Sequence, residues 1–166
     1  MAKFWILVLT VITIFGCNNL KEEKETQENN NSIEQTNRKE VVEVLQQFQD
    51  GYTNRDTTII DEFLEKFADD IVYMGVASHE FFKGKESVHR LTLWDWKNWF
   101  DLRIPVAEVD IRIINDVAWF EVVGESGPWR NGKTYEIRMV GSLIKKNKWL
   151  FKQVCFSYPA PLKEVE

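Results

Sequence analysis

The sequence has few of the residues that bind metals or form disulfides. Its 166 residues include two cysteines, Cys17 and Cys155, and two histidines, His79 and His89. Histidines ten residues apart do not have the spacing of a zinc site. Neither a glycine-rich phosphate loop nor the nucleophile elbow of hydrolases occurs. The sequence therefore predicts no metal and no cofactor.

Positive charge is also scarce. The 21 Lys and Arg residues are outnumbered by 26 Asp and Glu residues, which gives a formal net charge of -5 at pH 7. A nucleic-acid-binding domain needs a basic face that neutralises phosphates. We therefore expect no nucleic-acid partner, and the hydrophobic content of 44% favours a packed domain over disorder.

The amino terminus has the pattern of a secretory signal. Lys3 precedes an apolar run, Phe4–Phe15, which is too short to cross a hydrocarbon core of about 30 Å at about 1.5 Å per residue. The residues Ile14–Cys17, Ile-Phe-Gly-Cys, resemble the lipobox of bacterial lipoproteins. This resemblance implies cleavage before Cys17 and a lipid on its sulfur, so that the membrane is a partner. The alternative is a free cysteine behind a plain secretory signal.

A polar segment follows the cysteine. Residues 18–36 contain two apolar side chains, Leu20 and Ile33, and such a segment cannot bury enough surface to offset the entropy of ordering. Lys21–Glu23 resembles a signal that sends some lipoproteins to the outer membrane, although a solvated linker fits as well. The predicted organisation is a signal peptide at 1–16, a lipidated cysteine with a disordered tether at 17–36, and one domain at 37–166. The predicted location is the cell envelope, facing the periplasm or the surface.

The remaining residues predict an α+β domain with its helices first. Apolar residues at helical spacing indicate helices at residues 38–52, at 58–67, and from Gly84 through Trp94. Alternating patterns indicate strands at residues 71–74, 106–114, 117–124, 135–144 and 149–157. This order favours a curved antiparallel sheet with helices covering one of its faces.

Four segments of the second half resemble the nuclear transport factor 2-like superfamily. They are Asp116–Phe120, Tyr135–Arg138, Lys148–Leu150 and Phe156–Pro159. The chain is most similar to the SnoaL-like branch and to the association domain of calcium/calmodulin-dependent protein kinase, over about residues 38–161. The resemblance implies a cone, in which a bent sheet wraps around helices, with a cavity at the wide end and a sheet surface that often dimerises.

Strand pairing predicts which polar side chains share a face of the sheet. A two-residue turn at Lys146–Asn147 would place Arg138 opposite Cys155. The polar face would then carry Trp119, Glu121, Arg138, Gln153 and Cys155. Pattern alone allows this face to be the solvent side. The resemblance implies instead that it lines the cavity, because Arg138 matches an arginine that points inward in the kinase association domain.

Three functions are compatible with these residues. The first is a non-catalytic domain that binds a small, partly apolar, anionic molecule through Arg138, whose planar fork suits carboxylates. The second is an isomerase or cyclase with Glu121 as the base and Tyr73 or Arg138 as the donor. The third is a structural homodimer without a ligand. Related sequences commonly carry histidine at the positions of Gln153 and Cys155, and its loss favours the non-catalytic function over the enzyme.

Replacing Cys17 tests the lipid anchor. Cys17→Ser is expected to move the protein out of the membrane fraction, because serine cannot take up the diacylglyceryl group. Cys155→Ser is the matched control and is expected to stay with the membranes. Cell fractionation with intact-mass measurement would show both results, and a Cys17→Ser protein that remains with the membranes contradicts the anchor.

Overall fold

The structure is a computed structural model that describes residues 31–98, 101–128 and 131–159. The chain divides into two units, Met1–Asn37 and Arg38–Glu166, and the second carries the fold considered below. The predicted signal peptide, Cys17 and residues 18–30 of the tether lie outside the described residues. Residues 31–36 are helical, so the prediction of disorder is wrong for these six. Adding residues to an existing helix costs far less than nucleating one.

Three α-helices, seven strands and two short 3-10 helices, at Thr57–Ile59 and Val106–Glu108, make up the described part of the chain. The helices are α1 at residues 31–54, α2 at Ile60–Leu64 and α3 at Lys85–Asn98. The strands are β1 Phe67–Met74, β2 Phe81–Lys83, β3 Leu102–Arg103, β4 Asp110–Ile114, β5 Val117–Ser126, β6 Tyr135–Lys145 and β7 Trp149–Ser157. The predicted order of elements is therefore confirmed, with short β2 and β3 as additions. None of the described helices is both long enough and apolar enough to span a membrane.

The seven strands form one open, curved sheet. Its order is β2-β1-β7-β6-β5-β3, and β4 also pairs with β5. The neighbours are antiparallel except β1 and β7, which run parallel, so the prediction of an antiparallel sheet is wrong at this pair. Parallel pairing is possible there because α3 and the β4–β6 strands lie between them in the chain. The α+β fold class, with helices preceding a curved sheet, is confirmed.

The helices cover one face of the sheet through a cluster of aromatic rings. Phe48 of α1 is fully buried, and its ring lies 4.9–6.3 Å from five other rings. These belong to Tyr52, Phe63, Phe67, Phe151 and Phe156. Because they come from α1, α2, β1 and β7, this cluster fixes the helices on the sheet.

The β6–β7 hairpin has a different register from the predicted one. Arg138 pairs with Ser157 and Val140 with Cys155, two residues away from the expected partners. One residue of the shift comes from the connection, which holds three residues, Lys146–Lys148, between the paired Lys145 and Trp149. The second comes from a bulge beside Ser142. Beyond the bulge the shift is two residues, so Arg138, Gln153 and Cys155 stay on one face as predicted. Between the turn and the bulge the shift is one residue, so Trp149 and Phe151 are buried and the prediction that Leu150 lies on the apolar face is wrong.

Candidate active site

The five polar residues predicted to line a cavity lie on the outer face of the sheet. Trp119, Glu121, Arg138 and Gln153 are exposed and Cys155 is half-buried, whereas their strand neighbours on the other face are in the core. The prediction that this face is roofed by helices is therefore wrong. Period-two alternation had grouped the residues correctly, but the helices pack on the more apolar face. Binding of a ligand by these residues stays a prediction.

Glu121 lacks the surroundings of an acid–base carboxyl. Its Oε1 lies 3.6 Å from Nη2 of Arg112, and the same guanidinium approaches Asp110 at 3.7 Å. The Glu121 side chain is 61% exposed. Together with Trp119 and Gln153, these residues line an open groove of about 560 Å³ on the outer face. Glu121 therefore forms a solvated ion pair in an open groove and lacks the apolar pocket that a catalytic base requires.

A different carboxyl, that of Asp95, is buried inside the domain. The inward positions of α3 are Val88, Leu91, Thr92, Asp95 and Trp96, which repeat at three and four residues as a buried stripe does. Asp95 is 6% exposed and Trp94 is 60% exposed. The apolar pattern predicted from the sequence ended at Trp94, so it placed Trp94, and not Trp96, on the buried side of the helix. One residue rotates a helix by about 100°, so Asp95 was missed although its position in the stripe could have revealed it.

Two tyrosines connect this carboxyl to the first helix and the sheet. The hydroxyl of Tyr52 on α1 donates to Oδ2 of Asp95 at 3.0 Å. The Tyr52 and Tyr73 hydroxyls are 3.1 Å apart. Since a hydroxyl has one proton, an ionised Asp95 takes that of Tyr52, and Tyr73 is then the donor to Tyr52. Tyr73 was predicted as a donor beside Glu121, but it lies on the inner face, in a relay that ends at Asp95.

Burial sets the protonation of all three groups. It raises the pKa of Asp95 from 3.8 to about 7, an effect that the Tyr52 hydrogen bond opposes and the negative charge of Glu80 reinforces. Burial also raises the pKa of Tyr52 and that of Tyr73 well above 10.0. The tyrosines therefore stay protonated as donors, while Asp95 changes its charge near neutral pH.

Glu80 places a second carboxyl near this relay. The loop between β1 and β2 folds back so that the Gly75 N–H donates to the Glu80 carbonyl at 2.8 Å. The Ala77 N–H donates to Oε2 of Glu80 at 3.0 Å. Gly75 permits this arrangement because a Cβ there would overlap the Glu80 side chain. The charge of Glu80 contributes to the raised pKa of Asp95, of Tyr73 and of Tyr158. The Glu80 carboxylate therefore makes these groups harder to ionise.

The described residues do not assemble a metal centre. Across residues 31–98, 101–128 and 131–159, no three His, Cys, Asp or Glu side chains are grouped so that they could hold a metal ion. The absence of a metal and of a cofactor stays a prediction. The groups that meet at the buried site are a carboxyl and two phenols, which can hold and move protons.

Comparison with known proteins identifies the family. Residues 41–161 match the model of the SnoaL-like domain. The chain belongs to the SnoaL-like family. No curated protein sequence matches it significantly. The SnoaL-like branch, which the four sequence segments had indicated, is thereby confirmed.

Solved structures show the same fold at low sequence identity. A nuclear transport factor 2-like protein of unknown function from Pseudomonas putida has a TM-score of 0.64 at 17% identity, covering 77% of this chain and 90% of that one. A candidate dehydratase from Streptomyces avermitilis has a TM-score of 0.61 at 14% identity, covering 76% and 99%. A candidate kinase association domain from Xanthomonas campestris has a TM-score of 0.58 at 17% identity, covering 74% and 87%. The SnoaL-like domain shares the cone fold of these proteins.

The raised pKa of Asp95 predicts a pH-dependent stability. Between pH 4 and 7, roughly, the unfolded chain releases the Asp95 proton while the folded chain keeps it, because the pKa is 3.8 in one and about 7 in the other. The free energy of unfolding should therefore fall as the pH rises through this window, by up to about 4 kcal/mol. Asp95→Asn removes this contribution and should be the more stable protein at pH 8.

Urea unfolding of both proteins at pH 5 and pH 8 measures the effect. Glu121→Gln, which changes an exposed carboxyl, is the matched control and should follow the wild type. Parallel pH dependence in the wild type and in Asp95→Asn would contradict the burial of a titrating carboxyl.

Proposed function

We propose that this SnoaL-like domain is a general acid–base catalyst, of the isomerase or dehydratase kind, that acts on a small neutral molecule held against Asp95. The observation that carries the proposal is a buried carboxyl at the end of a tyrosine relay, with a pKa of about 7. Near pH 7 such a group exists in both charge states, so it can take a proton in one step and return it in the next.

The chemistry of each step follows from these states. In an isomerisation, the Asp95 carboxylate takes a proton from a carbon beside a carbonyl, and the electron pair moves to the carbonyl oxygen. The carboxylic acid then returns the proton to another carbon. In a dehydration, the displaced electron pair instead returns to form a carbon–carbon double bond, the bond from the next carbon to its hydroxyl breaks, and the acid protonates that hydroxyl, which departs as water. Tyr52 and Tyr73 stay protonated throughout and act as positioning residues, because their relay stabilises and orients the carboxylate.

The charges around Asp95 favour a neutral substrate. Among the residues that the structure describes, Glu80 is a charged side chain that acts on Asp95, and its charge is negative. The expectation of an anionic ligand rested on Arg138, which lies on the outer face of the sheet. An anion beside Asp95 and Glu80 would meet repulsion in a poorly screened interior. A neutral, mostly apolar molecule would instead match the aromatic surroundings of Tyr52.

The fold neighbours are consistent with this chemistry. The similar protein from Streptomyces avermitilis is described as a candidate dehydratase of the nuclear transport factor 2-like family. We extend that reaction class to this chain because Asp95 supplies a carboxyl that can act as acid and as base. This replaces Glu121 as the base and gives the enzyme preference over the non-catalytic binding domain.

The outer face of the sheet supports a second role, the pairing of two copies. Its exposed apolar side chains are Ile114, Trp119, Val123 and Val140, each more than 40% exposed. Several exposed apolar side chains on one sheet face commonly mark a protein interface, and an isologous dimer buries the same face on both copies. The expected homodimer is compatible with catalysis, since Asp95 lies on the other side of the sheet.

The location of the catalyst rests on the amino-terminal sequence. Ile14–Cys17 supports attachment to the cell envelope through a lipid on Cys17. Such an anchor would hold the domain beside a membrane, where small apolar molecules concentrate.

A model reaction tests the catalytic carboxyl directly. The ring of 5-nitrobenzisoxazole opens when a base removes its C–H proton, the N–O bond breaks, and the phenolate product absorbs visible light. The purified full chain should catalyse this reaction with a rate that rises with pH around a midpoint of about 7, because the charged form of Asp95 is the base. Asp95→Asn should lower the rate at least about 100-fold.

The matched control is Glu121→Gln, which should keep the wild-type rate because Glu121 lies on the outer face. Turnover that survives in Asp95→Asn, turnover that is lost in Glu121→Gln, or no turnover by the wild type would each contradict the proposal.

A further inference from the structure

The inward face of α3 carries two polar atoms that lack a hydrogen-bond partner. They are Oγ1 of Thr92 and Nε1 of Trp96, and they stand out among the buried side-chain atoms of the residues described. Thr92 is 1% exposed and Trp96 is 5% exposed. A buried polar group without a partner destabilises a fold, which is why such groups are rare. Valine and phenylalanine would fill the same positions without that cost.

Both atoms belong to the same helical face as the catalytic carboxyl. Thr92 is three residues from Asp95 and four from Trp96, and residues at these intervals are neighbours on a helix surface, with Cβ atoms about 5–6 Å apart. The Trp96 ring packs against Phe63 at 5.1 Å, and the Phe63 ring contacts Tyr52 at 6.0 Å. Thr92 and Trp96 are therefore residues within one helical turn of Asp95.

The tyrosines cannot supply a hydrogen bond to a substrate while the relay is intact. When Asp95 is ionised and able to take a proton, the proton of Tyr52 is directed to Asp95 and that of Tyr73 to Tyr52. A substrate whose C–H proton passes to Asp95 develops negative charge on its own oxygen and needs donors there. On the inward face of α3, the side chains with an uncommitted donor are Thr92 and Trp96.

We propose that Thr92 and Trp96 form a subsite for the carbonyl oxygen of a small, neutral, mostly apolar substrate. This inference rests on the proposed function, because it places the substrate beside the same carboxyl. The two donors hold the oxygen while Asp95 faces the neighbouring carbon. Tyr73, expected earlier to steady that oxygen, orients the base instead.

A matched pair of ligands tests the subsite. 1-Indanone and indane differ by one carbonyl oxygen, and the wild-type full chain should bind the ketone about tenfold more tightly, as two neutral hydrogen bonds allow. Thr92→Val and Trp96→Phe should each reduce this preference, and the double variant should bind the two compounds equally. Trp94→Phe is the matched control, because it changes an exposed tryptophan of the same helix, and it should keep the wild-type preference.

The stability of the free protein gives a readout that a structural role would not produce. Thr92→Val should raise the melting temperature without ligand, because it removes an unpartnered hydroxyl, while it weakens binding of 1-indanone. A lower melting temperature together with an unchanged ketone preference would overturn the proposal. That result would assign the two groups to packing or to a buried water only.

The same variants separate this inference from the proposed function. If Asp95→Asn abolishes opening of 5-nitrobenzisoxazole but Thr92→Val and Trp96→Phe leave the ketone preference unchanged, the subsite is wrong and the acid–base function stands. If the wild type opens no 5-nitrobenzisoxazole but the ketone preference depends on both donors, the acid–base function is wrong and the subsite stands as a binding site.

Discussion

The hydrogen bond from Tyr52 to Asp95 is the interaction on which the interior of this domain depends. A carboxyl among aromatic rings is costly to bury unless it is neutral or has a partner, and here it gains a partner whose own oxygen is held by Tyr73. The three residues come from α1, β1 and α3. The bond therefore ties the helices to the sheet and leaves the carboxyl ready to exchange a proton at neutral pH.

The two faces of the curved sheet carry different kinds of side chain. Its inner face holds Tyr73 and packs under the helices, and its outer face presents Trp119 and Arg138 to solvent. Because side chains alternate along a strand, a slip of one residue would exchange these faces. In the β6–β7 hairpin the three-residue connection and the bulge each add one residue to the register. Together these two shifts keep the outward side chains beyond the bulge on the outer face and the buried ones on the inner face, as the site requires.

Much of the fold could be predicted from local patterns. Alternation located the long strands, and the four segments between Asp116 and Pro159 indicated the SnoaL-like branch. The site could not be predicted in the same way, because alternation groups side chains without saying which face the helices cover. The resemblance predicted that Arg138 points into the cavity. In the structure, Ile137 and the other apolar neighbours of Arg138 occupy the inner face of the sheet. Asp95 was missed because a polar residue in a buried stripe is recognisable only when the phase of the helix is known.

The state of the Asp95 carboxyl is the central claim, and it can be observed without any substrate. In protein labelled with carbon-13 at the aspartate carboxyl carbons, the Asp95 resonance is assigned by its absence from Asp95→Asn and followed over pH. The structure predicts that this resonance titrates with a midpoint of about 7. A midpoint near the ordinary value of 3.8 would contradict the buried relay and the catalysis derived from it.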